Sequence, residues 1–236
     1  MLTQEHNQRP NDTRVGWELA QEYCAHQDFS SALPIILHTL KCWREQHPGI
    51  PAEPLMHEIR IRCLTETRHH DEAFAAVAEA EAELPLFPIF PMLRQKLLVL
   101  QQRWQESLTA FEQYAELVKR YQRGETLQEE SVVFGVNDYP QVLKAAVQSA
   151  VLAADFIAAE RYLRELYHDM PENAVDTLAE LAPRIPGETL LTMLAELAKQ
   201  KKTPYLKQLA IAVLTQAPPD TAGLRPLLQE LHNWPD

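Results

Sequence analysis

Where proline falls sets what this chain can fold into. Most of its seventeen prolines stand at intervals: Pro48, Pro51 and Pro54; Pro85, Pro88 and Pro91; Pro140; Pro171; Pro183 and Pro186; Pro204; Pro218 and Pro219. A helix accepts proline in its first turn but not in its interior, where the missing N–H and the ring break the ladder. Between these points lie stretches of about 12 to 30 residues rich in Ala, Leu, Glu, Gln and Arg, which are strong helix formers. No segment joins strict alternation to β-branched enrichment, apart from the short run Ser131–Val136. The chain is expected to be all-α.

The composition narrows the functional classes. With 236 residues and 46% hydrophobic content, the chain can bury a core without disulfides. No run approaches the roughly 18 to 20 apolar residues of a membrane span, and Met1–Asn7 has neither the charged nor the apolar region of a signal peptide. The expectation is a soluble, cytoplasmic chain. Twenty-two basic residues against thirty-three acidic ones leave a net charge of −11, and basic clusters such as Lys119, Arg120 and Arg123 are short. Nucleic acid is therefore an unsuitable partner, because phosphate binding needs a basic stripe.

Chemistry-bearing motifs are sparse. Cys24, Cys42 and Cys63 show no Cys-x2-Cys spacing and read as reduced, mostly buried thiols. There is no glycine-rich phosphate loop, Gly-x-Ser-x-Gly elbow or His-Glu-x2-His pair. The run His69-His70-Asp71-Glu72 falls at a turn, where Asp71 is expected to cap a helix rather than bind metal. His168-Asp169 reads as a helix end. The expectation is a chain that is not an enzyme and needs no cofactor and no metal.

Internal repetition separates a bundle from a stack of repeats. Four segments superimpose on a small residue followed four positions later by a larger apolar one: Phe29, Ala32, Ile36; His70, Ala73, Val77; Trp104, Ser107, Phe111; and Phe156, Ala159, Leu163. Each follows an amphipathic stretch: Leu19, Ala20 and Tyr23; Ile61 and Leu64; Leu97 and Leu98; Ala146, Val147 and Ala150. Ala73 and Ser107 are 34 residues apart, and a proline stands twelve residues after Ala73 and after Ala159. In the other two units that place holds Arg44 and Lys119, and the following spacings lengthen to 41 and 52, which implies insertions of 7 and 18 residues.

Period and pattern resemble the tetratricopeptide repeat (TPR), with Leu19-Ala20-x2-Tyr23 as the best first half and Ala73 to Val77 with Pro85 as a second half. The resemblance implies a right-handed α-solenoid of antiparallel helix pairs. Its expected organisation is an N-terminal tail over 1–12, four helical hairpins over 13–171 with insertions near 45–53 and 122–139, and degenerate helical hairpins capping the stack over 172–236. Small residues such as Ala20, Ala32, Ala73, Ser107 and Ala159 let paired helices approach closely.

The resemblance also implies where function lies, on the concave wall built by the first helix of each hairpin. Spacings of three and four put Arg14, Trp17, Gln21 and Cys24 there, then Glu58, Arg62 and Thr65, then Met92, Lys96 and Val99, then Lys144, Gln148 and Val151. This mixture suits an extended peptide or a partner helix held by polar groups and a few apolar anchors. Trp17 reads either as an anchor or as an N-terminal packing residue. Some TPR proteins grip a carboxylate with Lys, Asn and Arg, and the matching Asn residues are lacking here. In the second insertion, Val133 and Phe134 read as folding back on the protein or docking a partner. The expected function is a protein-interaction scaffold or adaptor whose partner is another protein or peptide, basic or amphipathic in view of the charge. The alternatives are a secretion-type chaperone for an export substrate and an accessory repeat subunit of an enzyme system such as a glycosyltransferase.

Overall fold

A computed structural model of the chain describes residues 2–125 and 136–216, and among them there is no strand. Twelve α-helices follow in order: α1 Leu2–Gln8, α2 Thr13–Ala25, α3 Phe29–Gln46, α4 Pro54–Glu66, α5 His70–Glu83, α6 Ile89–Leu100, α7 Trp104–Gln122, α8 Tyr139–Leu152, α9 Phe156–Asp169, α10 Pro171–Leu181, α11 Gly187–Gln200 and α12 Pro204–Gln216. They form two compact units. The first comprises the chain up to Gln102 with Ala110–Asn137, and the second comprises Arg103–Thr109 with the chain from Asp138 onward.

The proline punctuation is visible in the helix ends. Pro54, Pro171 and Pro204 open α4, α10 and α12, and Pro140 is second in α8. Leu84 and Met170, each followed by proline, end α5 and α9 with extended φ of −136° and −138°, since a residue before proline is driven out of helical geometry. Where the expected stop is missing, the helix runs on. α3 and α7 have 18 and 19 residues against 14 in α5 and α9. α3 stops at His47, before Pro48, one helical turn later than the repeat would place it. α7 ends instead at Gly124, whose φ of +72° allows a left-handed stop. The inserted lengths near 45 and 122 therefore begin as extra helix. Pro34 is the exception, inside α3 on its exposed side, with no N–H to donate to the Ser30 carbonyl one turn back.

Within the pairs, the turns share one geometry. Three residues separate α2 from α3, α4 from α5, α6 from α7 and α8 from α9, and the middle one has positive φ each time: Gln27, Arg68, Gln102 and Ala154, at 58–64°. Hydrogen bonds from Asp28 N to Tyr23 O, His69 N to Leu64 O and Asp155 N to Ala150 O, at 2.8–2.9 Å, close the turn. The side chains of Asp28 and Asp155 then cap the next helix by accepting from Ser31 N and Ala158 N. His69 holds that place before α5 without a side-chain cap, and Asp71 lies inside the first turn rather than at the cap. A left-handed alanine carries a steric cost that glycine avoids. Ala154→Gly is expected to stabilise the second unit by about 1 kcal/mol. Urea unfolding checks this, and a lower midpoint would contradict it.

The small-residue positions lie where helices meet. Ala32, Ala73, Ser107 and Ala159 are all at most 1% exposed. Ser107 adds a hydroxyl to the pattern, and its Oγ donates to Ser149 Oγ at 2.7 Å. In the first unit one core cluster joins α2, α3 and α4 through Ala20, Ala32, Ile36, Leu40, Met56 and Ile59. A second joins α4, α5 and α6 through Ile61, Leu64, Ala73, Val77, Phe90 and Leu97, with Val136 packed against it. In the second unit α8 packs on α9, α10 on both of them, α11 on α9, and α12 on α10 and α11. At the N-terminus α1 packs on α2.

Candidate functional site

The first helices of successive pairs also touch one another. α2 packs against α4 and α4 against α6 in the first unit, and α8 against α10 in the second. The first unit therefore has a wall of first helices, α2, α4 and α6, and in the second α8 lies against α10, the helix that follows its pair; the residues at spacings of three and four can be placed on them.

On α2, Arg14 is exposed and its Nη1 lies 2.8 Å from Glu18 Oε1, while Gln21 is exposed. Trp17 is half-buried against the α2–α3–α4 cluster, and its Nε1 is buried without a hydrogen-bond acceptor. On α4 and α6, Arg62 and Lys96 are exposed and both act electrostatically on the half-buried Glu58. Burial pushes the Glu58 carboxyl above its ordinary range, and these two cations pull it back. Arg62 also lies over the Phe29 ring, 5.4 Å from its centroid. Met92 is half-buried against the α4–α6 cluster. In the second unit Lys144 Nζ lies 3.6 Å from Glu180 Oε2, and Gln148 is half-buried beside Ser149. The structure thus brings Glu58, Arg62 and Lys96 together, and puts Lys144 and Gln148 in the other unit. Val133 and Phe134 lie outside the described residues.

Two groupings have no counterpart in the sequence reading. Cys42 and His38 of α3 meet Asn11 from the turn before α2. His38 Nε2 is 3.4 Å from Cys42 Sγ and 3.1 Å from Asn11 Oδ1. One ring nitrogen serves both, so a proton donated to the Asn11 oxygen leaves it unable to take the thiol proton. Burial, aided by Glu45, also pushes the Cys42 thiol up. The cluster instead ties the 9–12 turn to α3, with Gln46 Nε2 donating to Asn11 O at 2.9 Å.

The second grouping surrounds His57, whose side chain is fully buried. Arg44 of α3 pairs with Glu79 and, at 3.1 Å, with Glu83, while Arg60 of α4 reaches Glu79 at 2.7 Å. His57 Nε2 approaches Glu83 Oε2 to 3.2 Å, but neither ring nitrogen makes a hydrogen bond. Its other face meets Phe90 edge-on, 6.0 Å between centroids. Burial lowers the pKa of His57 despite Glu83 and Glu79. Burial works the other way on Glu79, but hydrogen bonds and charge from Arg60 and Arg44 outweigh it and hold that carboxyl below its ordinary range. Among the described residues, no three His, Cys, Asp or Glu side chains converge as a metal site would need. No helix among them is long and apolar enough to cross a membrane.

Helix pairs with identical turns, stacked so that first helices touch, can be compared with known folds. PilW, a type IV pilus biogenesis factor, superimposes with a TM-score of 0.51 at 15% identity, over 92% of this chain and 98% of PilW. Yeast Tom70 superimposes with a TM-score of 0.54 at 15% identity, over 97% of this chain. Both are TPR-containing proteins. The fold is a TPR-like helical repeat. The chain spans 45% of the Tom70 structure's length. No family model matches the sequence, and no curated protein matches it.

Proposed function

We propose that this TPR-like chain is a non-catalytic adaptor, and that the α2–α4–α6 wall of its first unit holds an amphipathic segment of a partner protein. The observation that carries the reading is the group formed by Glu58, Arg62 and Lys96 on adjacent first helices. Two exposed cations flank a half-buried acid there, and among the described residues neither cation is taken up by an ion pair with a second-helix acid in the way Arg44 and Arg60 are. Gln21 adds an exposed amide, and the half-buried Trp17 and Met92 add apolar surface beside it. A partner bearing charges of both signs along one apolar face suits this wall, and the −11 charge of the chain favours encounter with segments that carry basic residues.

The test uses exposed residues, so that binding and folding separate. Partners are captured from the native cell, identified by mass spectrometry, and their binding to the purified chain is titrated. Arg62→Gln with Lys96→Gln removes both cations without adding acids beside Glu58, and is expected to weaken binding by about tenfold or more, the range of desolvated charge contacts, while the chain stays folded with a melting midpoint only slightly lowered. Unchanged affinity with an intact melting curve would remove this wall as the binding surface.

A further inference from the structure

Cys24 of α2 and Cys63 of α4 are both free and buried, and their Sγ atoms lie 3.5 Å apart. They face each other across the contact between two first helices, amid Ala20, Ile36, Met56 and Ile59. The third thiol, Cys42, contacts His38 and Asn11 instead. A disulfide needs sulfurs about 2.05 Å apart, so roughly 1.5 Å of approach would join this pair, which side-chain rotation and small helix shifts can supply. We propose that Cys24 and Cys63 form an oxidation site, a dithiol that a hydroperoxide converts to a disulfide fastening α2 to α4.

The two sulfurs differ in a way that assigns their order. Cys24 is 6% exposed and Cys63 0%, so a small oxidant meets Cys24 first. The Cys63 thiol is pushed up by its hydrogen bond to Cys24 and by burial. Cys24, which shares that hydrogen bond and lies close to the Arg62 guanidinium, is held below the ordinary thiol range against its own burial. Cys24 sulfur attacks the peroxide, an S–O bond forms as the O–O bond breaks, and the departing oxygen leaves as water or alcohol. Cys63 sulfur then attacks the Cys24 sulfenic acid, the S–S bond forms, and the hydroxyl leaves as water with the Cys63 proton. Two thiols lose two electrons and two protons, and the peroxide is reduced by the same two electrons. This site does not depend on the adaptor reading, since it concerns how α2 is joined to α4 and not what lies on them.

The experiment treats the purified full-length chain with a few equivalents of hydrogen peroxide, removes the excess with catalase, and alkylates in denaturant. The expected product has lost two hydrogens and takes one alkyl group, at Cys42. Its tryptic map shows a Cys24–Cys63 crosslink that dithiothreitol releases. Because the bond closes a 39-residue separation, the melting midpoint of the first unit rises by about 5 to 10 °C. In Cys63→Ser the resolving thiol is absent, so dimedone labels Cys24 more strongly than in the parent chain. Three alkylated cysteines after peroxide, a crosslink through Cys42, or equal dimedone labelling of both chains would overturn the proposal.

Discussion

Gly16→Val is expected to cost the first unit about 3 kcal/mol, a large effect for one substitution on a helix. Gly16 is buried in α2, and a Cβ built on it would lie 2.3 Å from Thr39 Oγ1 of α3. Thr39 has little room to yield, because it is 2% exposed and its Oγ1 donates to Ile35 O at 2.8 Å. Rotating it away would break that bond. Gly16→Ala carries the same clash with fewer atoms, and alanine's helix propensity returns about 1 kcal/mol. Its net cost is therefore expected near 1 to 2 kcal/mol. Adding Thr39→Ala removes the opposing hydroxyl and is expected to recover most of this loss, a coupling that independent sites would not show. Thermal and urea melts of five chains, the parent, Gly16→Val, Gly16→Ala, Thr39→Ala and the Gly16→Ala/Thr39→Ala double variant, measure it. A Gly16→Val midpoint equal to that of the parent chain would mean that α2 and α3 are not packed as the structure places them.

That contact shows where sequence reasoning reaches and where it stops. The repeat register is legible because it rests on local signals: Phe29, His70, Trp104 and Phe156 each begin a second helix, and the small residue three places on is buried. Helix stops are legible where proline marks them and displaced where it is absent, as at Gln46 and Gln122. The shared left-handed turn residues are not legible. Gln27, Arg68, Gln102 and Ala154 lack the glycine that would announce them, and hydrogen bonds across the turn hold them there. Gly16 is equally silent, since only the approach of Thr39 gives its missing side chain a purpose.

Within the candidate site, a stripe at spacings of three and four locates a helix face without saying how far neighbouring helices cover it. Trp17 and Met92 share that stripe with Arg62 and Lys96, yet the first two rest against core clusters and the last two are exposed. The Cys24–Cys63 contact depends on the stagger between α2 and α4, which no local pattern encodes. His57 resembles any other polar residue of an amphipathic helix until α3, α5 and α6 close around it.

Closure around His57 predicts that the first unit loses stability in mild acid. Its neighbours are Arg44 from α3, Arg60 from α4, Glu79 and Glu83 from α5, and the uncharged Phe90 from α6. Burial outweighs the two glutamates, so the folded-state pKa lies below the ordinary histidine value of 6.5. The unfolded chain then binds the proton more readily than the folded one, and stability rises with pH wherever that holds. Full stability is expected above about pH 6.5 and should fall as pH drops from there toward the folded-state pKa. His57→Leu is nearly volume-conserving and leaves Glu83 paired with Arg44 at 3.1 Å, so it should flatten this slope and melt above the parent chain at pH 5. His57→Ala also lacks the titration but opens a cavity against Phe90, and is expected to cost about 3 kcal/mol at neutral pH. Melting midpoints of the three chains between pH 5 and pH 8 separate the two effects. If the His57→Leu slope equals that of the parent chain, the acid sensitivity belongs to other groups. A slope that flattens in both variants while only the alanine chain loses stability at pH 7.5 assigns the proton to His57 and the remaining cost to packing.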